Sequence, residues 1–483
     1  MLFGALAIVS AGMTSCGDYL DVRPKSEVPA DLHFERESGY KDQLTGVYTQ
    51  MCNTTLYGRN LSYGLMEVLA QNYDVDAAGS YYYASRYNYT ATGTRMMIDG
   101  IWTDAYNCIA NLNIMLEYID NADKNIFSGN NYAIYKGEAL GLRAFLHFEL
   151  LRLFAPSYAS NSSATGIPYV TEYKPAVTKH IPVKDALELI IKDLTEARTL
   201  LIDTDPLSIV PHAEKYYYRG GGSDERNRYF NYYAVEAALA RAYMYKGDKT
   251  NALTHAMVIV NEGEYTDANG NSIGAFPWTH YTSMEAALPA DNDRRYTSEQ
   301  LFLLNITDME DNIQYFMTSS AGVNTLAPGD EKIKLIFEES AGLGNDYRRR
   351  FWFQYSGDRY YFSKFWQYEG SKYNNFMPII RKTEFYYMAA EILNETSQAD
   401  AVAMLNLVRS HRAIPELPAD LTKTQVQDEV FKEVRKELLG EGQLFHYYKR
   451  LNLSTIEGAG ITAGNAVYVL PKPDNEIEFG DVD

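Results

Sequence analysis

Apolar residues return at steps of three and four along several stretches, the spacing of helices with one face turned inward. Trp102, Tyr106, Ile109, Leu112, Leu116 and Ile119 share one such face, which places Trp102 in the core. Ala139, Leu142, Leu146, Leu150 and Leu153 form a second face, and Pro156 is expected to stop that helix. After a polar loop at 161–165, residues 181–202 are helical again, with Leu187, Ile190, Ile191 and Leu194 inward. Residues 216–228 hold Gly220-Gly221-Gly222 and read as a break. Small residues over 237–243, a Gly247-Asp248 turn and a helix over 252–260 then describe a helical hairpin whose small side chains allow close approach. That combination is of tetratricopeptide type, although no clean period of about 34 residues runs through the chain. From 265 to 378 the periodicity weakens and Gly, Asn, Asp and aromatic residues dominate. A loop-rich stretch that long is usually functional. Helices return over 381–393, 399–412 and 426–439, and the tail carries a β-like run at 466–470. The expected fold is mainly α: tetratricopeptide-type hairpins in a superhelical scaffold, with an inserted loop-rich region.

The start of the chain has a different pattern. Residues 2–13 are small or apolar and uncharged, too short to span a bilayer but suited to the core of a signal peptide. Met13-Thr14-Ser15-Cys16 then reads as a lipobox, with Cys16 lipidated as the mature N-terminus. A plain secretory signal with an incidental Cys is the other reading, and no Lys or Arg precedes the apolar run. The expected organisation is a signal peptide (1–15), a lipidated N-terminus and tether (16–39), an N-terminal helical region (40–264), a loop-rich ligand or partner region (265–378) and a C-terminal helical region with tail (379–483).

Composition narrows the function. Of 483 residues, 22% are charged and 46% hydrophobic, an ordinary globular balance whose length suggests roughly three domains. A formal net charge of −19 argues against a phosphate-backbone binder, so no nucleic-acid partner is expected. Three cysteines are too few for a disulfide framework, and Cys52 and Cys108 are as well read as free thiols as a bridge. Tyrosine is in excess, 41 against 20 Phe, and a flat ring with a polar tip suits half-wet surfaces.

Motifs spread along the chain carry a family resemblance. They are Cys16-Gly17-Asp18-Tyr19-Leu20-Asp21, Gly137 through Phe145, Leu150 through Phe154, Gly166-Ile167-Pro168-Tyr169-Val170, the 237–243 hairpin and Arg381 through Glu391. Leu405 through Arg409, Arg435-Lys436-Glu437-Leu438, Glu441-Gly442 and Leu470 through Ile477 complete the series. In order and spacing the chain resembles the SusD/RagB family of outer-membrane nutrient-binding lipoproteins. It departs at Gln443 and Leu444, where the family usually has an Arg or His. The resemblance implies a surface lipoprotein anchored through Cys16, seated as a lid on a SusC-like TonB-dependent barrel, to which it delivers a glycan without breaking a bond. It also implies that Asp18 and Asp21 serve export to the cell surface. A peptide-binding lid of the same kind is the alternative, and a glycoside hydrolase a third reading.

The chain shows no Gly-x-Ser-x-Gly, no phosphate-binding Gly-Lys-Ser/Thr loop and no His-Glu-x-x-His. Gly458 through Ala463 meets a relaxed dinucleotide pattern, but a strand-like run follows where a helix is needed. Asp74-Val75-Asp76 and Asp291-Asn292-Asp293 offer oxygens to calcium, yet both lack the Gly and closing Glu of a calcium loop. No cofactor or metal is therefore expected. Sugar binding needs rings for the C–H face of a pyranose and polar groups for its rim. Two loop segments supply rings, in the parts of the chain that commonly bind ligand in the resembled family. The first offers Tyr81, Tyr82, Tyr83 and Tyr87 between helical stretches; three consecutive Tyr cannot all point inward, so the cluster is expected to be exposed. The second offers Trp278, Tyr281, Trp352, Tyr361 and Trp366, with Trp352 and Trp366 also readable as parts of buried β-like runs. Arg348-Arg349-Arg350 is expected to be a solvated or partner-facing run.

Overall fold

The periodic stretches fold as helices. α1 (Glu37–Met51), α2 (Thr92–Asn121), α3 (Asn131–Phe154), α4 (Val183–Leu201), α5 (Tyr232–Lys246) and α6 (Lys249–Gly263) make up the first half. The computed structural model describes residues 29–209, 226–263, 274–357 and 359–482; the signal-like segment, Cys16 and the Gly220–Gly222 break lie outside the described residues. α3 packs between α2 and α4 and is buried continuously from Gly137 to Phe154. Its glycines permit that: a Cβ on Gly137 would meet the Leu201 side chain at 2.7 Å, and one on Gly141 the Phe230 ring at 2.6 Å. The helix ends two residues before Pro156, as expected. The Lys449 ammonium caps this end, donating to the carbonyls of Arg152, Ala155 and Tyr468 at 2.5–2.7 Å. Trp102 is buried, in contact with Phe154 and Tyr106.

The helical hairpin read from 237–260 forms as α5 and α6. Gly247 closes α5 in the left-handed region at φ 84°, and Asp248 receives the Asn251 amide at 3.1 Å. Ala237, Ala238, Ala240 and Ala242 are buried along α5.

The second half mixes short elements with longer helices: α7 (Met309–Met317), α8 (Thr383–Leu393), α9 (Gln398–Ser410), α10 (Lys423–Glu437) and α11 (Leu444–Arg450). Three antiparallel pairs occur among the described residues. β1 (Thr165–Pro168) pairs with β2 (His180–Pro182), β3 (Gln300–Asn305) with β6 (Phe376–Arg381), and β4 (Phe353–Ser356) with β5 (Arg359–Phe362). The tail is a correction: residues 465–468 form a short helix, not a strand. No neighbouring strand meets this run; Tyr468 N–H bonds back to Gly464 O, and Leu470 N–H reaches Leu153 O. Cys52 and Cys108 are free thiols.

A buried ion network holds the loop-rich residues to the last helices. Arg348 is fully buried, against the expectation of a solvated run. Its guanidinium meets Asp346, Glu433 and Glu437 at 2.7–2.9 Å. Glu437 also receives Arg381 at 2.5 Å and Arg412 at 2.8 Å, and Arg412 reaches Glu299 at 2.5 Å. Burial alone would raise the Glu437 carboxyl, but Arg412, Arg381 and Arg348 outweigh it and hold the group well below the usual range. Arg349 pairs with Glu339 and covers Tyr360, while exposed Arg350 pairs with Glu285 at 3.1 Å. Arg348 points inward because its guanidinium is shared by three buried acids, of which Glu433 and Glu437 bring further cations into the same network.

Candidate functional site

Residues 79–90 and the helix α7 with its following turn meet at the surface. In the short helix Tyr82–Ser85 and the residue before it, Tyr81 and Ala84 face inward at a spacing of three, which turns Tyr82 and Tyr83 outward. Tyr81 is only 1% exposed: its ring meets Phe316 edge-on at 5.7 Å, and burial pushes its phenol up to about 12. Tyr83 is 56% exposed and stands edge-to-face with half-buried Tyr82 at 5.5 Å. The exposed Arg86 guanidinium lies 5.7 Å from the Tyr82 ring.

α7 buries Met309, Ile313, Phe316 and Met317 and presents Tyr315, 55% exposed, to solvent. Asn324 joins the two parts: its Oδ1 accepts from the Ser80 amide at 2.9 Å, and its Nδ2 donates to the Tyr315 hydroxyl at 3.3 Å. Gly79 makes the approach possible, since a Cβ there would lie 2.5 Å from the Val323 carbonyl oxygen. The root of the segment is fixed as well. Lys332 pairs with Asp74 at 2.6 Å and donates to the carbonyls of Gln71 and Tyr73. Gln71 and Tyr87 both adopt the left-handed region, at φ 60° and 56°. Gln71 Nε2 donates to Ser85 O at 2.9 Å, and the Tyr87 hydroxyl to Leu69 O at 3.0 Å. Tyr87 is thus a buried brace of the loop.

The second aromatic segment is arranged differently. Trp278, 7% exposed, has Lys382 Nζ 3.5 Å from its ring centre and is stacked by His411 at 4.1 Å. Trp352 is fully buried, with Lys364 Nζ at 3.9 Å from its ring and its indole N–H given to Arg294 O at 2.6 Å. Both indoles sit in the core. Tyr281 is exposed beside His280, and half-buried Tyr361 lies on the β4–β5 hairpin opposite Gln354 with Arg359 over its ring. Half-buried Trp366 donates its indole N–H to Met317 O at 2.9 Å, which fixes it to the C-terminal end of α7. Of the residues expected from sequence, Tyr82 and Tyr83 therefore stand with Tyr315, and Trp366 borders α7. Tyr315 and Asn324 were not foreseen. The signal for Tyr315 was there: Ile313, Phe316 and Met317 mark one face of a short helix and leave Tyr315 on the other.

This surface has rings for stacking and a guanidinium for hydroxyl groups, with the Asn324 amide fixing the rings. Asp74 is engaged by Lys332 and the Gly329 amide, and Asp293 accepts from Thr297. Among the described residues no group of three or more His, Cys, Asp or Glu is placed to hold a metal ion.

Family models match residues 18–476 in two parts. Residues 18–216 match the model described as "Starch-binding associating with outer membrane", and residues 215–476 that of the "SusD family". No curated protein matches. Solved structures agree on the fold. A SusD-like carbohydrate binding protein from Bacteroides vulgatus is 17% identical, with 92% of this chain and 96% of that one covered at a TM-score of 0.70. A SusD superfamily protein from Bacteroides thetaiotaomicron is 22% identical, covering 92% and 98% at 0.68. A laminarin binding SusD-like protein is 19% identical, covering 93% and 98% at 0.66.

Proposed function

The chain belongs to the SusD family, and on that premise we propose that it captures an extracellular glycan at the outer membrane and passes it to a SusC-like TonB-dependent barrel. Proteins of this family are non-catalytic binding proteins. The observation that carries the reading is the outward pair Tyr83 and Tyr315, both more than half exposed on a braced surface. Large exposed rings held rigidly bind at low entropic cost, and a pyranose face is their natural complement. Arg86 then meets the hydroxyl rim, with Tyr82 and Trp366 widening the surface and Asn324 holding Tyr315 in place. The SusD-like neighbours described as carbohydrate binding and laminarin binding support the ligand class. The helix pairs α3–α4, α5–α6 and α8–α9 act as tetratricopeptide-type hairpins of a superhelical scaffold, and the lipid on Cys16 anchors it to the membrane. Among the described residues no helix is long and apolar enough to cross a membrane.

Native gels cast with single polysaccharides test this. At least one glycan retards the protein, and Tyr83→Ala or Tyr315→Ala weakens its affinity roughly tenfold, as loss of a central aromatic anchor does. If every glycan is silent and a peptide digest gives heat in calorimetry, the peptide-binding alternative replaces this reading.

A further inference from the structure

A second concavity lies beside the aromatic surface and shares none of its residues. It is a cleft of about 840 Å³ between the C-terminal end of α1, the turn that follows it, Asp104 of α2, and the exit of β3. Its size falls in the range of small-molecule sites. Asn53 and Thr54 come from the turn after α1, and Asn305, Thr307 and Asp308 from the exit of β3. Asn53, Asn305, Thr307 and Asp308 are exposed and Thr54 is half-buried, and none of these five side chains makes a hydrogen bond with a described residue, so all five are open to a ligand, although the cleft's other polar groups are engaged. Thr45 and Thr49 hydroxyls donate to backbone carbonyls of α1, and Asp104 accepts from Thr55.

The lining has a definite chemistry. Amides offer a donor and an acceptor side by side, hydroxyls offer both, and a carboxylate accepts two bonds at once. Such groups, gathered from two chain segments into one cleft, match adjacent hydroxyls of a sugar ring. Asp104 and Asp308 place two negative charges at the cleft, and the one guanidinium among its described lining residues, Arg228, lies over the Phe376 ring at 5.1 Å. That balance disfavours an acidic sugar. Burial, with the Asp308 charge added, pushes the Cys52 thiol up to about 12, so the cleft holds an inert thiol and not a nucleophile. Asp308 also precedes α7, and Tyr315 stands seven residues further on, roughly 10 Å along the helix.

We propose that this cleft is a second carbohydrate subsite, polar where the first is aromatic, and that it takes an uncharged sugar unit through Asn53, Thr54, Asn305, Thr307 and Asp308. The assignment rests on the proposed function only for the sugar class; its residues are its own.

Saturation-transfer NMR on the whole protein tests it with glucose, mannose, galactose, xylose and glucuronic acid. At least one neutral sugar gives a signal that survives in Tyr83→Ala/Tyr315→Ala. The signal falls with a roughly tenfold loss of affinity in Asn305→Ala/Asp308→Ala. Thr54→Trp, which fills the cleft from the turn after α1, abolishes it, and glucuronic acid stays silent. A signal lost in the tyrosine variant and unchanged in both cleft variants overturns the subsite and leaves the aromatic reading standing. Silence of every neutral sugar overturns the subsite too. A cleft signal from a protein that no polysaccharide retards keeps the subsite and removes the aromatic reading instead.

Discussion

At Tyr83 the ring faces water; at Trp278 and Trp352 the rings face buried cations. Both segments are loops rich in aromatics, Gly and polar residues, and composition alone does not separate them. The first is braced from beneath, by Tyr81, Tyr87 and the Gln71 amide, so its remaining rings have nothing to cover. The second sits over the buried ions that tie it to α9 and α10, and its indoles insulate them. Lys364 touches Trp352, and Lys382 touches Trp278. Burial brings the Lys364 ammonium down to about 8 despite the Glu441 carboxylate 2.5 Å away. An indole face is one of few apolar surfaces that a buried ammonium accepts at a gain. What decides whether an aromatic loop binds ligand is therefore whether its neighbours already need the rings.

The strongest way to break the comparison is to attack the ions. Glu437→Gln leaves Arg348, Arg381 and Arg412 without their shared carboxylate, and breaking a buried pair costs about 3–5 kcal/mol. Denaturant unfolding reads that loss, while Tyr83→Ala changes the unfolding free energy by less than about 0.5 kcal/mol, as exposed substitutions do. A Glu437 variant as stable as the parent would mean that the second segment is not anchored by charge.

Trp278→Ala comes next. Removing a packed indole costs about 3 kcal/mol or more. Glycan affinity measured well below the unfolding midpoint should stay within about twofold, a shift of a few tenths of a kcal/mol. Loss of affinity at unchanged stability would move Trp278 from the core to the site.

Glu67 sharpens the comparison from the junction of the two regions. It accepts from Asn72, at the root of the aromatic segment, at 2.6 Å and from the Gly442 amide at 2.7 Å. Burial pushes its carboxyl up to about 7, against a partial pull downward from those donors and Lys364. A raised carboxyl favours the protonated fold, so its stabilising contribution is complete below about 4.5 and disappears as pH rises through about 7. Relative to the parent, Glu67→Gln should gain about 3 kcal/mol between pH 4.5 and pH 8. A flat difference across that range would mean that Glu67 is ionised throughout.

The helical half of this molecule was legible because one-sided burial writes itself into spacing. Ile109, Leu112 and Leu116 on α2, and Leu146, Leu150 and Leu153 on α3, are all inward. The tail at 466–470 was misread because a short apolar run has no period of its own, and only the absence of a partner strand decides it. Arg348 was misread for a related reason. Three adjacent arginines look solvated until the acids they meet, up to 89 positions away, are brought in by the fold. At the site, the outward turn of Tyr82 and Tyr83 follows from local spacing. The burial of Trp278 and Trp352 depends on Lys382 and Lys364, which no local pattern pairs with them. Asn324 was invisible because its role is to join two segments distant in the chain.

Asn324 offers the smallest effect and the closest test of how the aromatic surface is built. Its amide spans the Ser80 backbone and the Tyr315 hydroxyl, so it touches position and not ligand area. Asn324→Ala should weaken glycan binding about fivefold, the value of one hydrogen bond near 1 kcal/mol, with little change in unfolding. Tyr315→Phe keeps the stacking ring and removes only the hydroxyl that Asn324 holds. If the amide acts by orienting that ring, the double variant binds no more weakly than Asn324→Ala alone, because both substitutions cut one link. If the two losses add, Asn324 meets the sugar directly and Tyr315 is held by the packing of α7. Additivity would make this loop resemble the second segment, where each ring is fixed by its own neighbours. Non-additivity would show that the two halves of the surface are set by a single amide.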